Sequence, residues 1–317
     1  MKYSKQYLVD LCSKTNFIKD NLEKVLRLNE ILKFLNSDEE LKDKLALKGG
    51  TAINLTAVKL PRLSVDIDLD YTFNIDVTEL GIEKKNIKDK IIKYMTSEDY
   101  FISKDAREHY ALLSFIFSYI NNAGNRDNIK IEINFMDRCH ILPLVKKDIY
   151  TGDILQSHEI LTLNEIELYA SKINALICRA TPRDLYDVYA MIQNDVIKDK
   201  ALLKKCLIFY NMIGGEQNVD SLDYNNVKSI NFMKFKTQLK PVLSKSDKFN
   251  LEEAKDITIN YVKELLKFDY KEIEFIDQFR SGQYKPELLF EDMKIVTRIV
   301  NHPMAKWRVN KYEKSEL

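Results

Sequence analysis

The spacing of apolar and polar residues changes along this chain, and each change predicts a different kind of element. From Ser4 to about Leu47 the pattern is helical. Phe17, Leu22, Val25, Leu26, Leu28, Ile31, Leu32 and Leu35 recur at spacings of three and four among Lys, Asp and Glu, as one buried helical stripe requires. Ser37-Asp38-Glu39-Glu40 reads as a break and a new helix start. Leu45-Ala46-Leu47 reads as a short strand entering Lys48-Gly49-Gly50-Thr51-Ala52, and Ile53-Asn54-Leu55 leads out as a helix.

The period then becomes two. In Arg62-Leu63-Ser64-Val65-Asp66-Ile67-Asp68-Leu69-Asp70 the acids share one face of a strand and the aliphatics share the other. Thr72 to Val77 reads as a loop and Glu83 to Met95 as a helix. Tyr110–Tyr119 and Ile129–Phe135 read as two strands. The turn-rich Asn121-Asn122-Ala123-Gly124-Asn125 between them predicts an antiparallel pair. Ile149 to Leu155 is expected to add a short strand around Gly152. The second half returns to helical spacing. Thr162-Leu163-Asn164-Glu165 caps a helix running to Arg179, and Thr181-Pro182 starts another. Ala201–Met212, Leu251–Phe268, Lys271–Phe279 and Asp292–Val300 follow as amphipathic helices, with Gly214-Gly215 as a loop. The expected organisation is an α/β (α+β) chain: residues 1–160 form a helical lead-in plus a catalytic domain, and residues 161–317 a helical C-terminal domain.

Composition narrows this only slightly. With 317 residues, 45% hydrophobic and 31% charged, the chain can bury a substantial core. A formal net charge of +1 means that any nucleic-acid site is a local patch. Cys12, Cys139, Cys178 and Cys206 are scattered without metal or disulfide spacing, as in reduced thiols of a cytoplasmic protein. The basic start Met1-Lys2-Tyr3-Ser4-Lys5 is followed by no apolar targeting segment, and no run reaches membrane-span length. The expected location is cytoplasmic, without a membrane partner.

The chemistry concentrates in the glycine turn and the acidic strand. Adjacent glycines let backbone approach a ligand with no Cβ in the way, and a helix start favours phosphate. Three carboxylates on one face repel unless a cation sits among them, and hard oxygens on a rigid strand suit Mg²⁺ alongside substrate phosphates. A phosphate cradle followed some fifteen residues later by an acidic strand is the working part of a nucleotidyltransferase. Glu132, sharing a face with Lys130 and Asn134, is either a third carboxylate of that site or an ion-pair partner for Lys130 or a neighbouring lysine. Lys172 and Arg179 lie two turns apart on one helix face, as Asp184 and Asp187 do one turn apart on the next. Arg183 and Asp187 are spaced to pair on the surface. By themselves these are ordinary helix surface; they gain meaning because a triphosphate site needs a cation beyond its metals. Two stretches are locally basic: Lys228–Lys248 holds six lysines against one acid, and Lys294–Lys314 six Lys or Arg against one acid, with His302 and Trp307. Each reads either as a solvated charged face or as a nucleic-acid surface, and the nucleotide-enzyme centre of the chain favours the second.

The pattern Lys48-Gly49-Gly50-Thr51-Ala52, then Arg62-x-Ser64-x-Asp66-Ile67-Asp68-Leu69, resembles the AbiEii/AbiGii family of nucleotidyltransferase-like toxins, to which the MenT toxins are related. Lys130-Ile131-Glu132-Ile133-Asn134-Phe135, the helix Lys172 to Arg179, and Arg183-Asp184-Leu185-Tyr186-Asp187 continue the match in order. Thr51 stands where the family usually has serine and keeps the hydroxyl. The resemblance implies a polymerase-β-type fold with a helical C-terminal domain. It also implies NMP transfer from an NTP to an RNA 3′-hydroxyl, the tRNA acceptor end, blocking translation in abortive infection. A separately encoded antitoxin would be the cognate partner.

In that reading Asp66, Asp68 and Glu132 hold two Mg²⁺, with Glu132 also able to help deprotonate the 3′-hydroxyl. Gly50 and Thr51, in the Lys48-Gly49 cradle, hold the phosphates, and Lys172 neutralises the triphosphate. Asp184 or Asp187 orients it or contacts the base, alongside Arg179 and Arg183. Arg62 and Ser64 sit at the rim, touching phosphate or supporting the Asp66 strand; Asp70 has no assigned role. Two other readings stay open: a nucleotidyltransferase modifying a small molecule or protein, and a non-catalytic nucleotide- or partner-binding module.

Overall fold

The computed structural model describes residues 3–103, 107–150, 152, 154–214 and 224–315, with side chains described as far as 311. The chain divides into two compact units. The first comprises Met1–Arg138, Lys146–Thr162 and Val242–Ser246; the second comprises Cys139–Val145, Leu163–Pro241 and Asp247–Leu317.

The first unit is built on a mixed sheet. Its strands are β1 (Leu45–Lys48), β2 (Asp66–Tyr71), β3 (Phe101–Ile102), β4 (Arg107–His109), β5 (Leu112–Ile120), β6 (Arg126–Asn134), β7 (Val145–Asp148) and β8 (Glu159–Thr162). The spatial order is β3-β5-β6-β2-β1-β8-β7, with β4 also pairing β5. β1 runs antiparallel to β2, and β2 parallel to β6. The expected β5–β6 hairpin is present, in the register Leu112↔Asn134 to Ile120↔Arg126. Alternation in β2 does what it predicted, because Ile67, Leu69 and Tyr71 are buried while Asp66 and Asp68 are half-buried.

Helices α1 (Lys5–Thr15) and α2 (Lys19–Ser37) precede the sheet, α3 (Gly49–Ala52) follows β1, and α4 (Val77–Ser97) follows β2. The stripe Leu22, Val25, Leu26, Leu28, Ile31, Leu32 and Leu35 is buried along α2. No helix starts at Ser37–Glu40: α2 ends there, the Asp38 carboxylate accepts from the Glu40 N–H, and turns carry the chain to β1. α4 starts earlier than expected, at Val77, because the Asp76 side chain caps the N–H groups of Thr78 and Glu79. The strand expected at Ile149–Leu155 is not there: β7 and β8 lie on either side, and Gly152 is in a turn, while residues 151 and 153 lie outside the described residues.

The second unit is helical: α5 (Glu165–Arg179), α6 (Pro182–Gln193), α7 (Lys200–Gly214), the single turn α8 (Phe232–Lys234), α9 (Leu251–Leu265), α10 (Tyr270–Arg280), α11 (Met293–Ile299) and α12 (Pro303–Ser315). α5 packs on α6 and α7, and α6 on α9. The Asn164 side chain caps α5, and Thr181 caps α6 with Pro182 in its first turn. Gly214 ends α7; Gly215 lies outside the described residues. Segment 139–145 is tied into this unit by a buried carboxylate, Glu167, which accepts from the N–H groups of Ile141 (2.8 Å) and Leu142 (2.9 Å) and from Tyr210 Oη (2.6 Å). Among the described residues no helix is long and apolar enough to cross a membrane.

Candidate active site

Lys48 ends β1 in extended conformation and the chain turns at Gly49, whose φ of 71° is the left-handed region. A Cβ at Gly49 would stand 2.7 Å from Oδ2 of Asp68, so any other residue here would have to displace that carboxylate. Thr51, two positions on, is buried. Its Oγ1 lies 2.9 Å from Ser64 Oγ and donates to the Asp66 carbonyl at 2.5 Å. The hydroxyl expected to hold phosphate thus braces the start of β2, and half-buried Ser64 joins that brace, the second of its two expected roles.

Parallel pairing of β2 with β6 sets Asp68 directly opposite Glu132 and Asp66 opposite Lys130. Opposite residues on neighbouring strands point to one face with strands about 4.8 Å apart, so Asp66, Asp68 and Glu132 share one acidic face. β1 adds Lys48, opposite Asp68. Its ammonium lies 2.5 Å from Asp70 Oδ1 and 3.5 Å from Asp137 Oδ2. Burial works against the charged ammonium, but Asp70, Asp137 and Asp68 outweigh it and hold the Lys48 pKa well above its ordinary value. Asp70, buried at 2% exposure, is thereby a strap for Lys48. Lys130 Nζ lies 2.6 Å from Glu132 Oε2, so one alternative for Glu132, an ion pair with Lys130, is realised within β6.

Asp66, Asp68, Asp70 and Glu132 carry four negative charges where Lys48 and Lys130 bring two positive ones. That surplus of carboxylate oxygens is a donor set suited to a hard divalent cation. Among the described residues no three Asp, Glu, His or Cys side chains already converge as a metal cage. Mg²⁺ does not need one, since it binds one or two carboxylates together with substrate phosphates. Asp66 and Asp68 meet that requirement.

Arg62 departs from expectation. It is among the largest fully buried side chains, its guanidinium donates to the Leu63 carbonyl at 2.9 Å, and its backbone bridges to Leu243. A cation so placed supports the approach to β2 and is not at a rim.

In the second unit the residues predicted on α5 and α6 do meet. Lys172 Nζ lies 2.9 Å from Asp184 Oδ1 and 3.2 Å from Asp187 Oδ2. Arg179 adds a bidentate pair to Asp184, through Nε (2.7 Å) and Nη2 (3.0 Å), and Thr181 Oγ1 donates to the same carboxylate. Asp184 and Asp187 are at 1% and 0% exposure, Lys172 at 7%, whereas the Arg179 side chain is 61% exposed. Burial raises the Asp184 pKa, but Lys172 and Arg179 overcome it and hold the carboxyl far below the usual range. Arg183 donates through Nε to the Gln238 carbonyl at 2.8 Å. Reasoning from spacing missed the Lys48–Asp70 strap and the Gly49–Asp68 contact; both depend on β1 lying beside β2.

No curated protein matches the chain significantly. A solved structure of MenT4, a nucleotidyltransferase toxin from Mycobacterium tuberculosis H37Rv, superposes with a TM-score of 0.64 at 13% identity, covering 94% of this chain and 99% of that one. A protein from H. pylori assigned as a nucleotidyltransferase gives 0.47 at 17% identity, over 84% and 100%. The first likeness fixes the fold as that of a nucleotidyltransferase of the polymerase-β type with a helical C-terminal part. The family model for the nucleotidyl transferase AbiEii toxin of type IV toxin–antitoxin systems matches residues 31–280, which contain the glycine turn, the acidic strands and the Lys172 knot. The chain therefore belongs to the AbiEii family of nucleotidyl transferase toxins.

Proposed function

We propose that this chain transfers NMP from an NTP to an RNA 3′-hydroxyl, with the tRNA acceptor end as acceptor, and thereby blocks translation. An antitoxin encoded nearby would neutralise it, and the chain would act in the cytoplasm. The observation that carries the transferase reading is the register of Asp68 with Glu132 beside a glycine turn that leaves no Cβ over Asp68. Asp66 and Asp68, with Glu132, are the residues that would hold Mg²⁺. Bound there, Mg²⁺ would supply charge neutralisation of the triphosphate and of the attacking oxygen.

The remaining roles fall to the chain itself. Gly49 and Gly50 let phosphate oxygens come close to backbone. Thr51 holds the first residue of β2 in place through the Asp66 carbonyl, and Ser64 holds the Thr51 hydroxyl. Lys48 is held by Asp70 and Asp137 and fixes the far side of the acidic strand. Glu132 accepts the proton of the 3′-hydroxyl, and Lys130, its ion-pair partner at 2.6 Å, holds the carboxylate in place for that step. Lys172 stays the proposed triphosphate cation, with Asp184 and Asp187 orienting its ammonium.

The test is transfer of radiolabel from each of the four NTPs to bulk tRNA. Asp66→Ala should abolish it while leaving the thermal unfolding profile unchanged. Transfer at the wild-type rate in that variant would falsify the assignment.

A further inference from the structure

The two basic stretches differ in how many of their cations are already engaged: in Lys294–Lys314 three are held by backbone or an amide, and Lys294 stays exposed. In Lys294–Lys314, Arg308 is buried and donates to the Ile213 carbonyl, Arg298 donates to the Ile141 carbonyl, and Lys306 binds Asn301 Oδ1. Trp307 lies under its own neighbours, with the Arg308 guanidinium 5.1 Å and Lys311 Nζ 5.5 Å from its ring. Lys228–Lys248 is different. Lys234, Lys236, Lys240 and Lys248 have no carboxylate within 4.0 Å among the described residues, although lysines elsewhere in the unit, such as Lys204 and Lys271, are paired. Lys236, Lys240 and Lys248 are exposed.

The same stretch carries a run of aromatic rings. Phe232, 62% exposed, lies 5.8 Å from Phe235; Phe235 stacks on Phe249 at 5.9 Å with 27° between planes; Phe249 meets Tyr189 of α6 edge-on at 5.7 Å. Lys234 and Lys236 flank Phe235 in sequence, and Lys248 adjoins Phe249. Tyr186 backs the run, 5.1 Å from Phe249 and hydrogen-bonded to Asp247 at 2.7 Å. Rings spaced in series beside unpaired ammonium groups match a strand of unpaired bases on a charged backbone. Bases stack on the π-faces, and each phosphate meets a cation that has no carboxylate partner among the described residues. A duplex keeps its bases inside and would use the lysines alone, and an acidic peptide would leave the rings unused.

We infer that the Phe232–Phe235–Phe249–Tyr189 run, with Lys234, Lys236 and Lys248, is a docking strip for a single-stranded segment of RNA. The inference deepens the proposed RNA-acceptor reading and rests on it for the choice of RNA over other single strands. The strip holds the acceptor strand by stacking and charge, without reading its sequence.

The test is equilibrium binding of the full chain to a fluorescent single-stranded RNA, measured in EDTA so that no turnover contributes. Phe232→Ala, which removes an exposed ring and spares the core, should weaken binding roughly tenfold, within the range known for one stacked base. Lys236→Gln should lower the slope of log affinity against log salt by about 0.7, the value for one phosphate contact on a single strand. Duplex RNA should bind more weakly than the single strand and respond to the lysine variant alone. Unchanged affinity in Phe232→Ala overturns the strip, as does equal preference for duplex, or capture of an acidic peptide in place of RNA. Asp66→Ala separates the two ideas: it should bind RNA like wild type. Strip-dependent RNA binding without transfer to any RNA would remove the acceptor assignment and leave the docking strip standing.

Discussion

The Cβ that Gly49 lacks would lie 2.7 Å from the Oδ2 atom of Asp68. Gly49→Ala must therefore move the carboxylate and also force a left-handed φ of 71° on an L side chain. The conformational cost is about 1–2 kcal/mol, modest for a chain of this size. Displacement of a proposed metal ligand by about 1 Å is worth on the order of a hundredfold in rate. The expected outcome is a folded protein with a slightly lowered Tm and a large loss of kcat. A variant with normal transfer would place the reacting phosphates away from this turn.

Asp70 and Lys48 make a pair in which the acid is buried and the ammonium only partly exposed. Removing the cation alone leaves a buried charge, which costs about 3–5 kcal/mol. Lys48→Met should show that loss in urea unfolding, and Lys48→Met with Asp70→Asn should recover most of it. Failure of the double variant to recover would mean that Asp137 is the partner that matters.

Thr51 and Ser64 brace the Asp66 carbonyl from inside the fold. Thr51→Ser keeps the hydroxyl, so stability and transfer should stay near wild type. Thr51→Val keeps the shape and leaves a buried carbonyl without that donor, at about 1–3 kcal/mol. Comparing the two by thermal melt separates a structural hydroxyl from a phosphate ligand. If Thr51→Val lost activity with its Tm intact, the hydroxyl would be touching substrate.

Acid should open the second unit at the Asp184 knot. The folded Asp184 pKa is depressed, so its contribution to stability is fully present above the ordinary carboxylate range and is lost as pH falls below about 3.8 toward the folded value. Asp184→Asn should flatten the dependence of unfolding free energy on pH below that point. An unchanged slope would show that another carboxylate governs acid unfolding.

Lys172→Ala should relieve growth arrest, yet it also takes a cation from two buried carboxylates, Asp187 and Asp184, of which Asp184 keeps Arg179 and Thr181, and so should lower the Tm. The informative comparison is Lys172→Arg, which keeps the charge. Rescue of growth by Lys172→Arg at an unchanged Tm would support direct contact with triphosphate. Growth arrest retained there, and lost only with stability in Lys172→Ala, would make Lys172 a structural cation.

By itself the sequence determined the local pieces. Period-two acids and aliphatics made β2 a strand with Asp66 and Asp68 on one face, adjacent glycines made the turn after Lys48, and caps at Asn164 and Thr181 with Pro182 fixed the starts of α5 and α6. These follow from backbone sterics and side-chain periodicity within a few residues, so they need no knowledge of neighbours. The approach of Lys172 to Asp184 was not legible in this way: spacing alone leaves both as ordinary helix surface, and packing of α5 on α6 buries them as an ion pair. Tertiary structure alone decided that Glu132 stands beside Asp68, since nothing local sets the register of strands more than sixty residues apart. It likewise turned Arg62 inward, gave Thr51 a structural bond and made Asp70 the partner of Lys48. A charged residue reads the same in a sequence whether it faces water or a buried partner. Only packing chooses, by the cost of leaving its charge unmatched.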